Sequence, residues 1–286
     1  MKTTQLGIRP YETGLSALGG GSWAYLQPDG SWGWSNAGLI TDGDEALLVD
    51  TLYDRPLTER MLDRMRASVP AAHHIHQLVN THANGDHCNG NCCLPEARII
   101  ASQACAEEMA HENPASMAAM AKAARAGQLG DLGEFFLHCF GAFDFESVTQ
   151  RLPTETFAGA HTALVGAKAV ELFEVGPAHT RGDVIVHVPA DRVVYTGDIL
   201  FIEGHPILWA GPVGNWLAAC ERIIACEPEV VVPGHGPLTD IAGVRAVMAY
   251  LTYIRDEARA RFDAGMPFEE AARDISFSDF SSWGDG

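Results

Sequence analysis

The sequence predicts an α/β protein in which two β-sheets pack face to face and helices flank their outer sides. Three observations predict it. Strand-type runs cluster in two halves of the chain, one before about residue 102 and one after about residue 156. Helical patterns lie between and after those runs, so each sheet has apolar helix faces available to cover it. An Ala-rich and then Phe-rich stretch at about 113–150 breaks the strand pattern between the halves. With 286 residues, 47 % of them apolar, the chain can bury a large core. The expected organisation is one domain over 1–286 with a helical insertion at about 113–150.

Taken in order, "WAYLQPDGSWGWSNAGLI" places a Pro-Asp-Gly turn between aromatic-rich runs and predicts a hairpin. "EALLVDT" is a buried strand ending in Asp50. "RPLTERMLDRMRAS" carries apolar residues at helical intervals. "IHQLVNTH" and "ARIIAS" are strands, the second followed by a helix around "QACAEEMAHE". Within the insertion, Phe135, Phe136, Phe140, Phe143 and Phe145 can form the apolar inner face of a substrate lid, or simply pack the insertion onto the body. Strands return in "FAGAHTALV", "KAVELFEVG", "DVIVHVPADRVVYTG" and "EVVVPG". A helix around "WLAACERIIAC" precedes the last of these, and a long helix runs through "GVRAVMAYLTYIRDEARARF". The tail "FSDFSSWGDG" reads as poorly ordered, with a Phe and a Trp able to dock on a neighbour.

The chemistry gathers at strand ends. "HQLVNT" leads into His82, Asp86 and His87, "ELFEVG" into His179, "RVVYTG" into Asp198, and "EVVVPG" into His235. Rigid strands can bring such loops from distant sequence around one point. Neutral imidazole and carboxylate are natural ligands of zinc and similar divalent ions, and the His82–His87 segment is too short to surround an ion by itself. A single strand-end histidine is ordinarily a hydrogen-bonding residue; the recurrence carries the metal reading.

The remaining composition sets limits. Net charge is −18, with 37 acidic against 19 basic residues and no Lys/Arg cluster, which disfavours nucleic acid as a partner. The start "MKTTQLGIRP" lacks an apolar signal core and no run reaches membrane-spanning length, so a cytoplasmic protein without membrane association is expected. Seven cysteines without zinc-ribbon spacing fit reduced thiols; Cys92 and Cys93 either line a site or serve as small buried hydrophobes.

"THANGDH", "PAHT", "TGD" and "PGHG", in that order, resemble the metallo-β-lactamase superfamily of metal-dependent hydrolases over roughly residues 15–255. The resemblance implies an αβ/βα sandwich of two mixed sheets with the metal site at one edge. It implies His82 and His179 on a first ion, Asp86, His87 and His235 on a second, Asp198 bridging, and Asp50 supporting the ligands by hydrogen bonds. The departure is Asn84, where the family pattern usually has a histidine. Three outcomes follow: Asn84 ligates through its carbonyl oxygen, leaves the first site weak, or orients substrate while one ion works.

One or two Zn²⁺, or another divalent metal, would bring bound water from a pKa of about 15.7 towards ~7. The expected reaction is therefore hydrolysis of an ester-like carbonyl (thioester, lactone or ester) by hydroxide at the ion, with Asp86 also orienting the water. Trp23, Trp32, Trp34, Trp209 and Trp216, with the insertion's Phe residues, favour a small-molecule or carrier-bound substrate that is apolar or aromatic; Phe140 and Trp209 are the leading contacts. His205 in "EGHPILW" is a candidate to bind substrate or act as an acid, against the plainer role of a loop histidine. At finer grain the sequence looks similar to the branch containing aromatic polyketide cyclase/thioesterases. An iron-dependent oxidoreductase of the same fold is the rival reading.

Overall fold

A computed structural model describes residues 6–284. The first sheet runs in chain order: β1 (Gly14–Gly19), β2 (Ser22–Leu26), β3 (Ala37–Asp42), β4 (Glu45–Val49), β5 (Ile75–Val79), β6 (Arg98–Ser102) and β7 (Glu155–Phe157). β1 to β4 form an antiparallel meander, and β4 to β7 are parallel. The second sheet contains β8 (Ala160–Val165), β9 (Lys168–Glu174), β10 (Val184–Val188), β11 (Val193–Tyr195) and β12 (Val230–Val232), in the order β12-β11-β10-β9-β8. It is antiparallel except for the β11–β12 pair. Both sheets are mixed and face each other, as the sequence predicts.

Alternation along the strands builds the layers. Leu26, Ile40, Leu47, Val49 and Ile100 meet Val165, Leu172, Val184, Val186 and Val188 between the sheets. The opposite face of the first sheet, including Leu39, Leu48, Leu78 and Ile99, is covered by α1 (Arg55–Ser68) and the insertion. Helix α1 begins where the Asp54 carboxylate accepts the Leu57 N–H at 2.7 Å, and it buries Leu57, Met61, Leu62 and Met65 at helical spacing. A short helix, α2 (Gly85–Cys88), follows β5, and α3 (Gln103–Met109) follows β6. The insertion holds α4 (Pro114–Arg125) and α5 (Gly130–Phe140). On the outer side of the second sheet, Ile185, Val194 and Val231 pack on Trp216 and Ile223 of α6 (Val213–Ala225) and Val244 and Val247 of α7 (Ile241–Asp263). A last helix, α8 (Phe268–Asp274), packs against α7. Among the described residues no helix is long and apolar enough to cross a membrane.

Two expectations change. β2 and β3 are antiparallel neighbours, but residues 27–36 form a long loop between them in place of a tight Pro-Asp-Gly turn. The loop is held by distant backbone: Asn36 Nδ2 donates to the Pro233 and Gly236 carbonyls at 3.0 and 2.8 Å, and Ser35 Oγ donates to the Asp86 carbonyl at 2.6 Å. The tail also departs from a poorly ordered segment. Phe280 is buried and Trp283 stacks on Tyr250 of α7, so its rings dock on the chain's own long helix. Residues 285–286 of that stretch lie outside the described ones.

Candidate metal centre

Because β4 and β5 run parallel, as do β11 and β12, their C-terminal ends deliver Asp50, His82, Asp198 and His235 to one edge of the sandwich. The sheets are also stitched there, with Val184 N–H donating to the Thr81 carbonyl at 2.8 Å. Glycine is required where the loops converge. A Cβ on Gly197 would collide with Thr81, and one on Gly234 would collide with the Asp198 carboxylate. This is the physical content of "TGD" and "PGHG".

The predicted ligands fall into two groups, His82–His179–Asp198 and Asp86–His87–His235, all buried. Asp198 lies between them. Its Oδ2 is 3.6 Å from His82 Nε2 and 3.4 Å from both His179 Nε2 and His235 Nε2, while its Oδ1 is 3.0 Å from His87 Nε2. Asp86 Oδ2 is 3.2 Å from His235 Nε2 and 3.8 Å from His87 Nε2. A tetrahedral ion with ligands at ~2.0–2.1 Å has ligand–ligand edges of about 3.3–3.4 Å, close to these separations.

The ring tautomers are fixed from outside. His87 Nδ1 donates to Asp50 Oδ2 at 2.9 Å. The Thr81 hydroxyl donates to the same oxygen at 2.7 Å, so His82 Nδ1, 3.0 Å from Thr81 Oγ1, is the donor to it. His179 Nδ1 donates to the Ile207 carbonyl at 2.7 Å, and His235 Nδ1 to that of Gly30 at 3.2 Å. All four rings thus spend Nδ1 outward and turn Nε2 inward. His82 Nε2, His87 Nε2 and Asp198 Oδ1 are buried without a hydrogen-bond partner. Orphaned buried groups are costly, and a divalent cation would satisfy all three, so the donor set fits a metal.

The electrostatics agree. Burial, with His87 nearby, holds His82 well below the ordinary histidine range, and burial lowers His179. At the second group burial opposes protonation of His87, but Asp198, Asp86 and Asp50 together hold it well above the ordinary range; His235 is raised in the same way to about 10. The carboxylates clustered around these two rings thus favour positive charge at this point, as a cation would supply.

Asn84 stands at the rim of the first group, its amide with Oδ1 2.8 Å from His179 Nε2, a contact that the flipped amide makes through its nitrogen. With His179 Nδ1–H given to Ile207, a neutral ring has only a lone pair at Nε2, so the amide nitrogen of Asn84 is the group that can pair with it. Asp50 also accepts the Thr81 N–H at 2.7 Å and adopts φ 60°, a backbone region tolerated by Asp and Asn. Asp183, which sequence reasoning missed, accepts Ala178 N–H, Thr180 N–H and the Thr180 hydroxyl, thereby fixing the loop that carries His179. The Thr180-to-Asp183 spacing was its available signal.

A cavity of about 540 Å³ opens over the centre. Asn84, Asp86, His179, Asp198 and His235 form its floor, and Trp32, Tyr53, Met117, Phe140, Phe201, Ile207 and Trp209 supply its apolar walls. Phe140 and Trp209 are both on this lining. Of the other insertion rings, Phe136, Phe143 and Phe145 are buried in the core, and Phe135 is 55 % exposed. Trp216 is buried beside His179, Trp34 packs on Phe143, and Trp23 borders the core. His205 is not among the residues lining this cavity; its Nδ1 is 3.0 Å from the Tyr250 hydroxyl and its ring packs against Phe277 and Trp283. Cys92 and Cys93 border a separate hollow beside Arg55 and Glu59.

Comparison with known proteins agrees with this architecture. The family model described as "Metallo-beta-lactamase superfamily" matches residues 30–235, and the chain belongs to that superfamily. Among solved structures, a metallo-beta-lactamase from Pontibacter korlensis superposes with TM-score 0.64 at 17 % identity, covering 84 % of this chain and 99 % of that one. DIM-1 metallo-beta-lactamase superposes with TM-score 0.61 at 18 % identity, covering 84 % and 97 %. A hydroxyacylglutathione hydrolase from Fuscovulum blasticum is 32 % identical over 72 residues, a match spanning 25 % of this chain and 28 % of that relative.

Proposed function

We propose that the chain is a zinc-dependent hydrolase of an ester-like carbonyl, thioester, lactone or ester, in an apolar or aromatic substrate. The observation that carries this is the set of four Nε2 atoms turned towards Asp198, with Asp198, His179 and His235 opening onto the floor of an aromatic-walled cavity. Divalent cations held by His82, His179 and Asp198, and by Asp86, His87, His235 and Asp198, would activate water and polarise a carbonyl. The protein's own residues do the rest. Asp86 lines the cavity and is the group placed to orient the attacking water and take its proton. Asn84 and Asn89, also on the lining, can hold the substrate's oxygen atoms. Trp32, Tyr53, Phe140 and Trp209 exclude bulk water and receive the apolar body.

The aromatic walls favour the finer reading of a cyclase/thioesterase acting on a carrier-bound aromatic polyketide, and the partial relative named for hydroxyacylglutathione favours a thioester. Free thiols at Cys88, Cys92, Cys93, Cys105, Cys220 and Cys226 suit a reducing compartment such as the cytoplasm.

The test is to strip metal with chelator, reload with zinc, and assay aryl thioesters, lactones and aryl esters. Activity should vanish and return with zinc, with aromatic thioesters preferred over short aliphatic ones. Turnover that survives complete metal removal would contradict the reading. So would iron as the retained metal with oxygen uptake, which would establish the oxidoreductase instead.

A further inference from the structure

We propose that the substrate carries an ammonium group, received at the mouth of the cavity by Glu108 and Glu112 against the aromatic walls. The inference rests on the hydrolase reading above and names its substrate class. No Lys or Arg lines the cavity, whereas both glutamates do. Glu112 N–H donates to the Glu108 carbonyl at 3.2 Å, so a helical turn continues past α3 and sets the two carboxylates on one face. Glu108 accepts only a backbone donor, Arg181 N–H at 3.2 Å, because the Arg181 guanidinium is directed to Glu107 at 3.5 Å. Among the described residues neither glutamate forms an ion pair, and burial pushes both carboxyls above their ordinary range.

A carboxylate pair that no Lys or Arg side chain bridges, with only His111 beside it on the lining, is relieved by an incoming cation and repels an anion. Aromatic faces add to the same preference, since the ring quadrupole attracts an ammonium group, and Trp32, Tyr53, Phe140 and Trp209 are within the same lining. The net charge of −18 steers cations towards the molecule at low salt. His179, Asp198, Asp86 and His235 at the floor mark the reacting end, so the site reads as a carbonyl at the metal and a cation at the mouth.

The experiment compares three thioesters that differ only in the tail: trimethylammonioethyl, its neutral 3,3-dimethylbutyl isostere, and a carboxylate of similar length. With the zinc-loaded protein, kcat/KM should be roughly tenfold higher for the cationic than the neutral tail, and lowest for the anionic one. The preference should weaken with added salt. In the Glu108→Gln/Glu112→Gln double variant the cationic-to-neutral ratio should fall towards one. A second readout needs no turnover: calorimetric binding of hexyltrimethylammonium should weaken roughly tenfold in that variant. Equal turnover of all three tails, an anionic preference, or ammonium binding indifferent to both glutamates would overturn the proposal and leave the hydrolase reading standing. Glutamate-dependent ammonium binding without hydrolysis of any thioester would support the cation site and count against the hydrolase.

Discussion

Replacing Asp50 by Asn should weaken metal binding while leaving the fold largely intact, and the reason can be followed atom by atom. Asp50 Oδ1 accepts the Thr81 N–H, and Oδ2 accepts both the Thr81 hydroxyl and His87 Nδ1–H. An Asn at 50 keeps the volume and tolerates the observed φ of 60°. Its amide must still leave an oxygen for the Thr81 N–H, which turns Nδ2 towards His87 Nδ1. That donor reverses the His87 tautomer, places the proton on Nε2, and removes the lone pair a metal needs. The same donor displaces the Thr81 hydroxyl that orients His82. Loss of such a supporting acceptor typically costs 10–100-fold in affinity, or about 1.4–2.7 kcal/mol. Asp50→Ala, by contrast, strands three buried donors and places Ala in the left-handed region, for a loss on the order of 4 kcal/mol of stability. The assay is competition of each protein against a chromophoric chelator, with ions per chain counted and Tm recorded in excess chelator. An Asp50→Asn protein with wild-type affinity and a wild-type Tm would refute the tautomer argument.

Asn84→His should raise the affinity of the first site at least about tenfold, read as a second tight ion per chain, since imidazole is the better donor and the position already borders the cavity; no gain in stoichiometry would show that Asn84 does not limit that site. Trp209→Ala should raise KM for aromatic substrates roughly tenfold with a stability change within about 0.5 kcal/mol, because Trp209 lines the cavity yet is 64 % exposed; an unchanged KM would remove it from the substrate path. Asp183→Ala should cost about 2–4 kcal/mol in chemical denaturation and weaken the first site, because the Ala178 and Thr180 donors lose their acceptor; wild-type stability would contradict that role.

The clustering of the candidate ligands was legible because each occupies a fixed place after a strand, next to small residues whose backbones must approach closely, as Gly197 and Gly234 do. The layered fold was legible for a related reason: buried strands such as Val184–Val188 and amphipathic helices such as Arg55–Ser68 follow local periodicity. What escaped depends on partners far along the chain. Ser35 and Asn36 read as turn residues until their bonds to Asp86, Pro233 and Gly236 are seen. Glu108 and Glu112 have the spacing of an ordinary solvated helix face, and only the cavity gives them a direction. The surroundings of His205 were likewise illegible: it follows a ligand loop in sequence, while its ring packs on Tyr250 and on Trp283 of the tail.

The most direct test is a crystal of the zinc-loaded protein with anomalous data collected on both sides of the zinc edge. Peaks among His82, His179 and Asp198 and among Asp86, His87 and His235, the second the stronger, are the predicted result. Zinc bound elsewhere, or no peak at either position in a protein that hydrolyses thioesters, would contradict the account.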